Sequence, residues 1–141
     1  MAGINYPRVL LGALAAGVVA NIGDTVINSL IMVDDMRKMA QRLNLDWTAV
    51  AGTGAMITWA TIDFVYAFLI VWTYAAIRPR LGPEPATAAM AGLVIFAAST
   101  VVLFGFQQMG IFALDAFIKN AAASAVVAVL AGLAGGAVYR E

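Results

Sequence analysis

The chain has 141 residues, 63% of them hydrophobic and 11% charged, with zero formal net charge and a mean hydropathy of +0.91. Soluble domains carry about 25% charged residues, so a chain this short and this apolar has too little polar surface to face water on all sides and belongs in lipid. It has neither Cys nor His, which excludes disulfides, thiol redox chemistry, His-ligated haem, zinc or copper, and nucleophilic triads built on His.

Residues 9–33 form the first of four segments long enough to span, since a bilayer core needs roughly 20 mainly apolar residues. A cleavable signal peptide is a poor reading of this segment. Its cleavage site would fall beside an Asn/Asp cluster while the apolar run continues to Val33, so a retained first helix is expected. In residues 34–45, Met36, Met39, Ala40 and Leu43 recur at helical spacing, with Arg37, Lys38, Gln41 and Arg42 on the other face. This pattern predicts a short amphipathic helix lying in the membrane interface, or an extension of the first helix into water. Asp46 is placed to cap the next helix, Trp47 suits the headgroup layer, and Gly52 and Gly54 mark a break.

The second span is expected over residues 55–77. The string RPRLGPEP then reads as a tight turn in which Pro79, Pro83 and Pro85 stop helix propagation and Gly82 takes a positive φ. Pro85 suits the first turn of the third span, residues 86–106. A short connection leads to the fourth span, residues 116–139, with Asp115 as a candidate cap. Short connections make successive helices antiparallel neighbours. The expected fold is therefore an all-α, up-down-up-down four-transmembrane-helix bundle, one domain over residues 1–141.

The string WTYAAIRPRLGPEPATAAMAGL at residues 72–93, together with RVLLGALAAGVVANIGDTVIN near the start, resembles an uncharacterised group of small four-helix bacterial integral membrane proteins. The YAAIRPRxGP portion is the most specific part. The resemblance implies the fold and a bacterial origin, with the cytoplasmic (inner) membrane the expected location, and it carries no activity and no site residues. In layout alone, the chain is also similar to small multidrug-resistance transporters, although their motifs do not occur in its last three helices.

Raw charge counts do not orient the bundle. With the N-terminus inside, Arg8, Arg78, Arg80 and Arg140 lie on one side and Arg37, Lys38, Arg42 and Lys119 on the other. Arg78 and Arg80 crowd a short loop against a helix end, which favours both termini inside, with dual insertion as the alternative.

The segment VVANIGDTVINSL, residues 18–30, poses the functional question. Asn21, Asp24, Thr25 and Asn28 make one polar stripe with Gly17 on an otherwise apolar helix. Asp63 shares a face of the second span with Trp59, Tyr66, Ile70 and Tyr74. Asp24 lies sixteen residues beyond Arg8 and Asp63 fifteen before Arg78, about 24 and 22 Å along a helix. In antiparallel neighbours the two carboxyls therefore reach similar depth. A charge near the bilayer centre costs at least roughly 2.5 kcal/mol, so at least one carboxyl is expected to be protonated, paired or bound to a cation. Asn21, Asn28, Tyr66, Asn120 and Ser124 are candidate partners, with Arg37, Lys38 or Lys119 reaching down.

Three readings stand for this cluster: a site for a proton, cation or small cationic ligand; an interhelical clasp; or exposure to lipid. With the N-terminus inside, Asp24, Asn28, Thr58, Asp63, Gln107, Gln108, Asn120 and Ser124 fall in the outer half, and the inner halves are nearly free of polar groups. This predicts an outward-facing pocket above a dry seal rather than an open pore.

Blander readings cover the rest. The spacings Gly132/Gly136, Ala131/Gly135 and Gly12/Ala16 suit close helix packing or a dimer face. Met32, Met36 and Met39 suit packing better than soft-metal binding. Trp47, Trp72, Tyr74 and Tyr139 fit aromatic belts. No enzyme signature, cofactor motif, metal motif or basic nucleic-acid surface is present. The expected partners are membrane lipids, with a homo-oligomer or a larger membrane complex as the setting. The two functions in competition are a small binding or transport protein and an accessory subunit.

Overall fold

The computed structural model of the chain describes residues 3–139. Its elements are α1 (Tyr6–Val26), a π-helical turn (Ile27–Ile31), α2 (Val33–Arg42), α3 (Trp47–Ala51), α4 (Thr53–Leu81), α5 (Pro85–Gln108) and α6 (Leu114–Val138). No strand occurs among the described residues. Four stretches, Tyr6–Ile31, Trp47–Leu81, Pro85–Gln108 and Leu114–Val138, are long and apolar enough to cross a membrane, the build of an integral membrane protein.

Local chemistry sets the helix limits. Asn5 caps α1 by accepting the Arg8 backbone N–H at 3.3 Å. Asp46 caps α3, taking the Thr48 N–H at 3.0 Å and the Thr48 hydroxyl at 2.7 Å. Gly52, with extended backbone, separates α3 from α4. Pro79 does not stop α4, contrary to the expectation that it would. It sits in the last turn, where its missing N–H forfeits one bond near an end that frays anyway. Termination falls instead to Gly82, whose φ of +87° is open to glycine at no steric cost. Asp115 likewise lies in the first turn of α6 rather than at its cap, which is Ala113. There it still favours the positive end of the helix dipole.

The spanning helices surround one another in the order α1, α4, α5, α6, each packing on the next and α6 closing on α1. Along α1, Gly12, Gly17 and Asn21 meet Val71, Phe64 and Ala60 of α4, so residue numbers run in opposite directions across this contact. The same reversal holds between α1 and α6, where Gly12 meets Gly135 and Gly23 meets Val127. It recurs between α5 and α6, where Gly92 meets Ala128 and Gly132 meets Ala88.

Small residues make these contacts close. A Cβ on Gly92 would lie 2.2 Å from the Ala128 carbonyl oxygen, and one on Gly132 would lie 2.4 Å from that of Ala88. Backbone therefore touches backbone, the arrangement that favours helix association where lipid removes the hydrophobic drive. Gly132, Gly135 and Gly12 are thus spent on packing inside the chain. Val9, Ile70 and Val71 are the largest fully buried side chains, among the small Ala16, Ala67, Ala91 and Ala131.

Tyr74 and Tyr139 do not belong to an aromatic belt. Both are buried, edge to face at 5.9 Å, with the Arg78 guanidinium over both rings. A cation set against two ring faces explains why they turn inward. Ile27, Met32 and Ala116 form a second, smaller core, joined by Met36, Ala123 and Val127. Met32 and Met36 are packing residues here.

Candidate functional site

Asp24 lies in the last turn of α1, and Asp63 ten residues into α4. The sequence registry places these carboxyls at one depth, and in the structure both lie at the α1–α4 contact, within electrostatic reach of each other. Asp63 is buried, with 8% of its surface exposed, whereas Asp24 is half-buried. The pair is therefore closed on the α4 side and more open on the α1 side.

Two features of α1 bring α4 this close. The Phe64 ring lies against Gly17, where a Cβ would come within 2.2 Å of a ring carbon. The Asn21 carboxamide donates to its own helix at the Gly17 carbonyl, 2.9 Å away, and across to the Ala60 carbonyl at 3.4 Å. A polar side chain on α1 thus ties the backbone of α4 one turn from Asp24. Tyr66, half-buried and one turn past Asp63, lies near Ser99 of α5, whose hydroxyl donates to the Phe96 carbonyl at 2.9 Å, and within electrostatic reach of Asp24.

Not every sequence candidate joins this group. Thr25 follows Asp24 and so points roughly 100° round the helix; it is exposed, and its carbonyl accepts the Ser29 hydroxyl. Asn28 is exposed within the π turn, where the Met32 N–H bonds to the Ile27 carbonyl at 2.8 Å. The wider turn takes Asn28 out of α-helical register with Asp24. Asn120 and Ser124 are half-buried on α6, which near the carboxyl pair meets α1 and the π turn through Gly23 and Ile27. Among the described residues, no hydrogen bond joins either to the carboxyl pair.

Two of the three cations expected to reach down, Lys119 and Arg37, are engaged elsewhere. Lys119 pairs with Asp35, and Arg37 lies over the Trp47 ring at 5.5 Å. Among the described residues, no group of three or more His, Cys, Asp or Glu side chains assembles. The chemistry on offer is that of two carboxyls, a carboxamide and a phenol: hard oxygen donors suited to a proton or a small hard cation.

Ser99 is missing from the residues that the sequence singles out. Its signal there is slight: Ser99 and Thr100 are the only hydroxyl residues in the second half of the third span. Comparison of the chain with protein-family models, curated proteins and solved structures finds no match. The likeness carried by residues 72–93 therefore remains a resemblance, and the site's chemistry rests on its own geometry.

Proposed function

We propose that this chain is a non-enzymatic membrane protein that binds a proton or a small monovalent cation at the Asp24–Asp63 pair. The observation that carries this reading is the approach of two carboxyls from different helices inside segments apolar enough to span. Two adjacent negative charges in apolar surroundings repel each other and are poorly solvated, so the pair gains most when a proton or cation lies between its oxygens. Asp24, the less buried of the two, is the side proposed for exchange.

The proposal includes an up-down-up-down bundle in a bacterial cytoplasmic membrane, with both termini inside and α2 lying in the outer interface. The reversed pairing along α1–α4, α1–α6 and α5–α6 supports alternate crossing. The segregation of Asp34, Arg37, Lys38 and Gln41 from the buried Ala40 supports an interfacial α2. The mostly apolar inner half acts as a seal, so transport through one bundle needs a second conformation, a second copy or a partner.

One observation favours the competing reading, an accessory subunit whose polar cluster is only a clasp: the Asn21 carboxamide bonds across to α4. Thermal unfolding in detergent separates the two readings. With Li⁺, Na⁺ or K⁺ in turn at constant ionic strength, a site gives an ion-specific rise in Tm that Asp24→Asn abolishes. A clasp gives a Tm indifferent to the ion, and Asp24→Asn then changes it little.

A further inference from the structure

α2 leaves α1 at one corner of the bundle and is fastened at two others. Near its start Asp35 forms an ion pair with Lys119, in the second turn of α6. At its last residue the Arg42 guanidinium donates to the Ile111 carbonyl, in the α5–α6 connection. A ten-residue helix is about 15 Å long, so these ties stretch α2 across the ends of α6 and α5 before α3 returns the chain to α4. Beneath it Met32 and Met36 pack on Ile27, Ala116 and Val127. Val127 in turn lies over Gly23, the residue before Asp24. α3 is coupled to α2 through Arg37 and Trp47.

Regular helix is interrupted at both ends of this unit, by the π turn at Ile27–Ile31 and by the extended backbone of Gly52. Such breaks absorb changes in backbone angle more readily than continuous helix does. The fastenings are partly exposed, and exposed ion pairs hold weakly. From this placement we infer that α2 and α3 form a lid over this end of the bundle, latched by Asp35–Lys119 and Arg42–Ile111. Opening the lid uncovers Ala116 and Ile27 and shortens the path from water to Asp24. The last consequence rests on the proposed carboxyl site; the lid itself does not.

Because the chain has no Cys, Ala116→Cys places a single thiol beneath the lid. Its reaction with a membrane-impermeant maleimide in lipid nanodiscs reports how often the lid opens. Adding Lys119→Gln should speed labelling about threefold to fivefold, the population change that a tie of this strength controls. The exchange Asp35→Lys with Lys119→Asp should return the rate to its starting value. Equal rates in all three proteins overturn the latch. If Lys119→Gln does not fold, Arg42→Gln applies the same test from the other end of α2.

Gating of the site is read separately, from hydrogen–deuterium exchange of the carboxyl infrared band that Asp24→Asn removes. Faster exchange in Lys119→Gln supports gating, and an unchanged rate refutes it. If no band depends on Asp24, the carboxyl-site proposal fails, while the thiol rates still decide whether the lid exists.

Discussion

Asp24 and Asp63 differ in burial, and substitution should separate what each contributes. Asp24→Asn keeps the shape and a hydrogen-bonding group while removing the ability to titrate. Expected outcomes are an intact fold, a small stability change and loss of cation response, measured by unfolding with and without the ion. Asp24→Leu removes the polar group near buried Asp63 and should destabilise the bundle by roughly 1–2 kcal/mol, the size of interhelical hydrogen bonds in model peptides. If both substitutions leave stability and ion response unchanged, Asp24 is neither site nor clasp.

Outside the spans, the Thr48 hydroxyl and then the Thr48 backbone N–H hold the Asp46 carboxyl below its ordinary value of 3.8. A carboxyl with a lowered folded-state pKa stabilises the helix start above its unfolded-state value and loses that effect as pH falls through the folded one. The Asp46 side-chain carbon should therefore titrate in NMR with a midpoint below 3.8. A midpoint at or above 3.8 contradicts the cap.

At the scale of elements, much is legible in the sequence because spans announce themselves by length and composition. Four apolar runs become four long helices, and Asp46 and Pro85 fall at helix starts as their chemistry predicts. Boundaries depart from expectation where local rules compete. Pro79 reads as a stop, yet α4 runs through it to Gly82, since a proline in a final turn forfeits only one bond. The registry of Asp24 with Asp63 is legible because helical rise converts residue counts into depth. The displacement of Asn28 is not. It depends on the π turn at Ile27–Ile31, which does not follow from an α-helical wheel.

Glycine substitutions test the element contacts. Gly132→Ala drives a methyl into the Ala88 carbonyl and should cost about 1–3 kcal/mol, the usual range for overpacking. Gly54→Ala, with nothing within 4 Å of the added Cβ, is the control and should be neutral or stabilising. Equal effects in denaturation would show that α5 and α6 do not approach as closely as described.

For the whole molecule, the proposed up-down-up-down bundle puts the start of α1, the α4–α5 turn and the end of α6 on one side. Single cysteines at Asn5, Gly82 and Gln108 test this through side-selective labelling of oriented vesicles. Positions 5 and 82 should label from one face and 108 from the other. Opposite faces for 5 and 82 would break the bundle. On the proposed reading, the mostly apolar half of the bundle away from the carboxyl pair is a seal. The purified protein alone should then conduct no steady ionic current in planar bilayers, and currents abolished by Asp24→Asn would contradict it.

Whether the two carboxyls act as one site is tested most directly by infrared difference spectroscopy of the protein in lipid. The carboxyl bands are followed as pH and cation are varied. A single titrating or cation-sensitive response is expected, lost alike in Asp24→Asn and in Asp63→Asn because each removes half of the same pair. Responses that survive either substitution, or carboxyl bands indifferent to both pH and cation, would contradict it.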